Sequence, residues 1–347
     1  MTTTPSAPFR LTVLNPGGRD PEQHFPEGAG TPGTGHQPTN FHAYAACTRG
    51  SFHREVERAI AEETPVLVLL RGDFRAAENA LQKLRAAGRI VAVSLKETGR
   101  HQIAEQLRDP RKLTRCLQLV RGADACLAAT PEAAEFYASI RGGSERVAFI
   151  PTPYPLAEPA WNFAQPMAAR AGIFIGTREF SVPSRNHLAA LLAARVLSEK
   201  TGAGVTVYNF ERRVGRQLVE VCDFAPGKLR VLDRQLAYPD YLRGIAAHRI
   251  VLQLDTSFVP GQVAGDAALC RVPCVGGNGA IDRLAFPALS SFGRPADEIT
   301  RVAERLLTDD QFYAEQIAAI DGNAASRIGF APVAGALREF FRGLGSR

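Results

Sequence analysis

Residues 249–279, RIVLQLDTSFVPGQVAGDAALCRVPCVGGNG, hold the densest set of residue types suited to ligand chemistry. Ile250, Val251, Leu252 and Leu254 form an apolar strand, and the loop after it carries Asp255, Thr256 and Ser257 before Gly261. A short alanine-rich helix with Asp266 follows, then a second apolar strand ending at Gly276 and Gly277. The order is strand, loop, helix, strand, with a carboxylate on the helix and glycines at both crossings. In an α/β sheet such loops lie at the carboxyl ends of strands, where ligands bind. Gly17 and Gly18 follow a short apolar strand, 11–14, and serve either as a plain turn or as a point of close backbone approach to a ligand. Asp266 also suits a second use, as a charge partner to the dipole of its own helix.

A scaffold must position these loops. The chain has 347 residues, which suits two domains of about 150 residues each. Hydrophobic residues make up 45% and charged residues 22%, an ordinary globular balance that excludes a disordered chain. No apolar run approaches a membrane span, and MTTTPSAPFR lacks a signal-peptide core, so the expected location is the cytoplasm. Cys47, Cys116, Cys126, Cys222, Cys270 and Cys274 form no CxxC pair and read as reduced, mostly core thiols. No Cys/His cluster has ligand spacing, so no metal site is expected. With 41 basic and 35 acidic residues the net charge is +6, and a basic cleft for an anionic ligand is the expectation; a charged membrane surface is the other partner this charge suits. The arginine groups near 108–115 and 212–216 sit in mixed-charge helical segments, not in a basic stripe with interleaved aromatics, so nucleic acid is not an expected partner.

Strands and helices alternate along the chain. Strands are expected at 11–14, 66–70, 89–95, 124–128 and 146–150, and helices at about 49–63, 74–87 and 131–140, the last capped by Thr130 with Pro131 in its first turn. The Gly/Pro/Thr-rich segment 20–39 is either a functional lid or a disordered insertion. Five prolines between 151 and 166 mark a linker. Alternation then resumes, with strands at 171–175, 205–208 and 229–232, and a long helix from Ser184, expected as its cap, to Lys200. A helix at 239–247 and helices near 297–307, 310–319 and 333–341 complete the set. His101 and His187 read as surface residues, and Trp161 as packing at a domain junction. The expected fold is α/β, with two Rossmann-like lobes facing across a cleft. The expected division is 1–156, a linker at 157–169, and 170–331, with helix 332–347 returning to the first lobe.

Motif order adds a family. Asp266-Ala267, in register with Pro273, together with Gly261, resembles the donor-lobe signature of GT-B glycosyltransferases, in particular the retaining family-4 type. Tyr238-Pro239-Asp240-Tyr241-Leu242 and then His248-Arg249-Ile250-Val251 resemble that family's tyrosine-bearing helix and following strand. Gly122 to Pro131 resembles its "ADA…TP" segment, Arg146 to Pro151 its entry to the linker, and Gly17-Gly18 its N-terminal glycine pair. The resemblance covers most of the chain.

The resemblance implies a nucleotide-diphosphate sugar as co-substrate, no bound cofactor and no metal. Asp266 would accept hydrogen bonds from ribose hydroxyls, while Gly261, Gln262 and Val263 would offer backbone N–H groups to the donor's diphosphate or sugar. Arg178 and Arg185 would stabilise the leaving diphosphate. The loop Leu232-Asp233-Arg234 would border the base, with Gly176, Asn209 and Tyr238 at neighbouring strand ends and helix starts. Two departures stand out. Phe258 occupies the position of the family's first acidic residue, with Asp255 nearby but out of register. Lys96-Glu97 stands where the family often has a histidine; Lys96 would contact a phosphate or sugar oxygen and Glu97 would orient or deprotonate an acceptor hydroxyl. The expected activity is transfer of a sugar to a glycan, lipid-linked, protein or small-molecule acceptor. A catalytically silent nucleotide- or glycan-binding protein and a GT-B sugar-nucleotide epimerase are the alternatives.

Overall fold

The structure is a computed structural model that describes residues 8–176, 179–209, 211 and 213–345. Its first sheet contains β1 (Thr12–Leu14), β2 (Gln23–His24), β3 (Ser51–His53), β4 (Val66–Leu70), β5 (Val91–Leu95), β6 (Ala125–Ala128) and β7 (Val147–Phe149), in the order β2-β3-β1-β4-β5-β6-β7. Its second contains β8 (Ile173–Ile175), β9 (Val205–Tyr208), β10 (Leu229–Leu232), β11 (Ile250–Leu252) and β12 (Cys274–Val275), in the order β10-β9-β8-β11-β12. All neighbouring strands run parallel except β2 against β3. These are the two Rossmann-like lobes expected from the alternation.

The apolar runs explain the sheets. Every residue of β4 is buried, and side chains alternate between faces. Val66, Val68 and Leu70 join one core layer, whereas Leu67 and Leu69 join the other. Unbroken apolar strands are what a sheet covered on both faces requires. The second layer is completed by Val333, Leu337 and Phe341 of the C-terminal helix Phe330–Gly345, so this helix does return to the first lobe. Among the described residues no helix is long and apolar enough to cross a membrane.

Element boundaries differ from expectation in several places: the helix expected at 310–319 runs Asp310–Ile328, and two further differences lie nearer the cleft. The segment 49–63 is not one helix: β3 and the helix Val56–Ala61 replace it, and an unexpected helix, Phe41–Cys47, precedes them. Arg49 adopts a left-handed φ of 52°, and a Cβ on Gly50 would lie 2.0 Å from the Leu11 carbonyl oxygen. The chain is thus pressed against β1 and cannot coil there. Ser184 does not cap the long helix either. Asn186, with φ 51°, begins the helix His187–Thr201, and the Ser184 hydroxyl bonds instead to Ser257 Oγ at 3.1 Å. Thr130 does cap its helix, accepting from the Ala133 N–H at 3.2 Å.

Several contacts fasten the lobes to each other. Arg283 makes a bidentate pair with Glu132 at 2.8 and 3.0 Å. Trp161 is buried at the junction and donates to the Gly30 carbonyl at 2.9 Å. The Arg100 guanidinium sits 4.6 Å over the Phe258 ring, so Phe258 serves lobe contact.

Candidate functional site

Each sheet reverses its strand order once, between β1 and β4 in the first and between β8 and β11 in the second. A crevice opens at the carboxyl ends of strands at such switch points. Here the two crevices face each other and form a cleft of about 830 Å³. Its walls come from the segments after β1 (Asp20), β5 (Lys96, Glu97), β8 (Glu179, Arg185), β10 (Gln235 to Ala237), β11 (Gln253, Asp255, Val259 to Val263) and β12 (Asp282).

Arg185 closes the second switch point. Its Nη1 donates to Asp255 Oδ2 at 2.5 Å, its Nε donates to Glu179 Oε2 at 2.7 Å, and its Nη2 also meets Glu179. Asp255 is 5% exposed and Arg185 15%, so this is a nearly dry pair. Burial alone would favour the neutral guanidine, but the charges of Asp255 and Glu179 outweigh it and hold Arg185 more firmly cationic than usual. Asp255 is further held by the Ser257 N–H at 2.7 Å. Across the cleft, Lys96 pairs with Asp20. Burial works against the Asp20 charge, yet the Lys96 ammonium prevails and holds that carboxyl below its ordinary range. Glu97 accepts from Gln102 Nε2 at 3.3 Å.

Among the described residues the cleft lining is not basic: it contains six carboxylates (Asp20, Glu97, Glu179, Glu211, Asp255, Asp282) and two cations, Lys96 and Arg185. Both described cleft cations face carboxylates. Arg178 lies outside the described residues.

Gly261, with φ 93°, precedes the helix Gln262–Leu269, whose N-terminus with Gln262 and Val263 faces the cleft. Gln262 is held from the other lobe and the linker: its side-chain oxygen accepts from Asn40 at 3.3 Å, and its carbonyl accepts from the Tyr154 hydroxyl at 3.2 Å. Tyr238 also lines the cleft, and its hydroxyl donates to Asp266. Asp266 itself is fully buried behind Tyr238 and is not on the cleft wall. Gly17, Gly18, Gly176, Asn209, Leu232 and Asp233 are likewise off the wall. A Cβ at Gly18 would lie 2.2 Å from Asn15 Nδ2, so that glycine makes room for the Asn15 side chain, which bonds Asp20. Asp233 pairs with Arg216 at 2.8 Å, and the cleft is bordered a few residues later, by Gln235, Leu236 and Ala237.

Several cleft residues, Glu211 and Gln253 among them, escaped the sequence reading, and Asp282 is the most consequential. Asp282 is 2% exposed, and its carboxyl fills the space around three glycines: added Cβ atoms on Gly277, Gly279 and Gly261 would lie 2.0, 2.7 and 2.8 Å from its oxygens. Gln253 Nε2 donates to it at 2.8 Å. Burial first, and then the charge of Asp255, raise the Asp282 carboxyl to about 7. It is thus a cleft group that exchanges a proton near neutrality, a property associated with acid–base function. The glycines at both crossings of 249–279 were the available signal; the carboxyl they accommodate comes from the next helix.

The segment 20–39 is packed as a cover. Phe25 and Ala29 are buried, and His36, Gln37 and Thr39 reach the cleft. His42 stacks on Phe52 with ring centroids 3.6 Å apart, and burial lowers it to about 4, so it faces the cleft uncharged. His187, expected at the surface, is buried and stacks on Phe180 at 4.0 Å. His101 is exposed.

The sequence matches no protein-family model and no curated protein. Solved structures do match. HepE from Anabaena, in complex with UDP, superposes over 96% of this chain and 100% of its own, with a TM-score of 0.67 and 13% identity. The α,α-trehalose 6-phosphate synthase from Burkholderia multivorans aligns over 84% of this chain and 75% of its own, with a TM-score of 0.60 and 12% identity. A Listeria monocytogenes protein described as a UDP-N-acetylglucosamine 2-epimerase aligns over 83% and 75%, with a TM-score of 0.51 and 15% identity. At these identities the likeness is one of fold, and the fold is GT-B: two Rossmann-like lobes facing across a cleft.

Proposed function

We propose that the protein is a glycosyltransferase that binds a nucleoside-diphosphate sugar against its second lobe and transfers the sugar to an acceptor held by the first. The carrying observation is that both switch-point crevices open into one cleft of about 830 Å³, a volume within the usual range for small-molecule sites. The full-length likeness to HepE, solved with UDP, supports a uridine nucleotide. The diphosphate lies at Gly261, Gln262 and Val263, where helix N–H groups and the dipole favour an anion, and Arg185 offsets the charge developing on the leaving group. Tyr238, backed by Asp266, faces the nucleoside, and Gln235 to Ala237 border the base in place of Leu232 and Asp233. Lys96, Asp20 and Glu97 face the acceptor. Transfer proceeds with retention and needs neither a metal nor a covalent enzyme intermediate.

A second reading, sugar-nucleotide epimerisation, is favoured by the carboxylates. Such chemistry needs an acid and a base in the cleft, and Asp282 and Asp255 add to Glu97, the sole candidate visible beforehand. Incubating the full chain with UDP-, GDP- and ADP-sugars and separating the nucleotides by anion exchange distinguishes the readings. Release of free nucleoside diphosphate is expected for the transferase, through transfer or slow hydrolysis. Conversion to an isomeric sugar nucleotide indicates the epimerase, and binding without turnover a silent binding protein. Absence of any interaction across the panel refutes all three.

A further inference from the structure

Away from the cleft, the antiparallel pairing of β2 with β3 brings together three residues distant in sequence. His53 Nε2 lies 3.1 Å and His24 Nδ1 3.4 Å from the same oxygen, Glu62 Oε1. The three ligand atoms all lie within 4.8 Å of one another. We propose that His24, His53 and Glu62 bind one divalent transition-metal ion, with zinc the best match. A tetrahedral zinc with bonds of about 2.0–2.1 Å needs ligand atoms about 3.4 Å apart, so only small side-chain movements are required. Two imidazoles and one carboxylate suit zinc and its neighbours better than magnesium or calcium, which prefer all-oxygen sets. His53 is 3% and Glu62 23% exposed, while His24 at 65% keeps an entry side open. Ser51 Oγ donates to Glu62 Oε1 at 3.1 Å and orients it, and it also lies 3.0 Å from His24 Nδ1, a contact that the ion would replace. A cavity of about 90 Å³ adjoins the cluster and leaves room for a water as fourth ligand. No sequence motif signals the site, because the ligands come from two strands and the end of a helix.

The position gives the ion a purpose. Alternation along β3 points Ser51 and His53 to the cluster and Phe52 to the opposite face, where it stacks on His42 at the cleft. Gln23, next to His24, accepts from the His36 N–H at 2.6 Å. A metal there clips the start of the segment 20–39 to the sheet edge and so fixes the cover of the cleft.

The test uses the untagged full chain, stripped with EDTA and titrated with ZnCl2 by calorimetry. One zinc per chain is expected, with an upward shift in Tm. His24→Ala and Glu62→Gln, both at accessible positions, are expected to weaken zinc at least about tenfold and to abolish the Tm shift. Cobalt(II) provides an independent readout on the unaltered chain: a tetrahedral site produces strong visible absorption, which zinc displaces. Absence of stoichiometric zinc binding, or zinc binding of unaltered strength in both variants, overturns the proposal. A cobalt spectrum without tetrahedral bands overturns the assigned geometry.

Discussion

Arg185→Ala is expected to lower stability by about 3 kcal/mol and to weaken UDP binding at least about a hundredfold. The stability loss follows from Asp255, 5% exposed, which would be left as a buried carboxylate without its cation. The binding loss follows from removing the one described cation on the second-lobe side of the cleft. A double variant separates the two effects. Arg185→Ala with Asp255→Asn neutralises the stranded charge, so stability should recover while binding stays lost. Urea unfolding and calorimetry with UDP read both quantities. Arg185→Ala with native stability and native UDP affinity would contradict the electrostatic reading of this switch point.

Asp282→Asn should alter the pH profile of stability. The Asp282 carboxyl titrates near 3.8 in an unfolded chain and near 7 in the folded one. Over that window the folded state holds a proton that the unfolded state has lost. The stabilisation is therefore full below 3.8, falls as pH rises, and is gone above about 7. Its size is on the order of 4 kcal/mol. An asparagine stays neutral throughout and can still accept from Gln253. The variant should match the wild type near pH 4 and exceed it in stability at pH 8. Unfolding curves at the two pH values that shift equally in both proteins would show that the carboxyl is not held in this way.

The lobes were legible because their strands are apolar without interruption, as in Val66 to Leu70 and Ile250 to Leu252. The cap at Thr130 and the return of the C-terminal helix were legible for a similar reason, since each depends on a local pattern or a long apolar face. What failed depended on contacts between distant residues. Gly50 looks like an ordinary helix-tolerant residue until the Leu11 carbonyl is seen 2.0 Å from where its Cβ would be. Ser184 looks like a cap until Ser257 claims its hydroxyl. The site was half legible. Residues 249–279 do form the second-lobe wall, and Gly261 to Val263, Tyr238, Lys96, Glu97 and Arg185 all face the cleft. Register alone could not show that Asp266 lies behind Tyr238, nor that Asp255 and Asp282 are among the carboxylates of the cleft. Summed charge misled in the same way: +6 for the chain says nothing about how cations and carboxylates divide between surface and cleft.

Calorimetric titration of UDP into the full chain at neutral pH tests the central claim most directly. A single site per chain is predicted, with a dissociation constant below about 1 mM, and its heat should vanish in the Arg185→Ala/Asp255→Asn variant while that protein remains folded. No heat at millimolar UDP, or an isotherm that the double variant reproduces, would contradict nucleotide binding in this cleft.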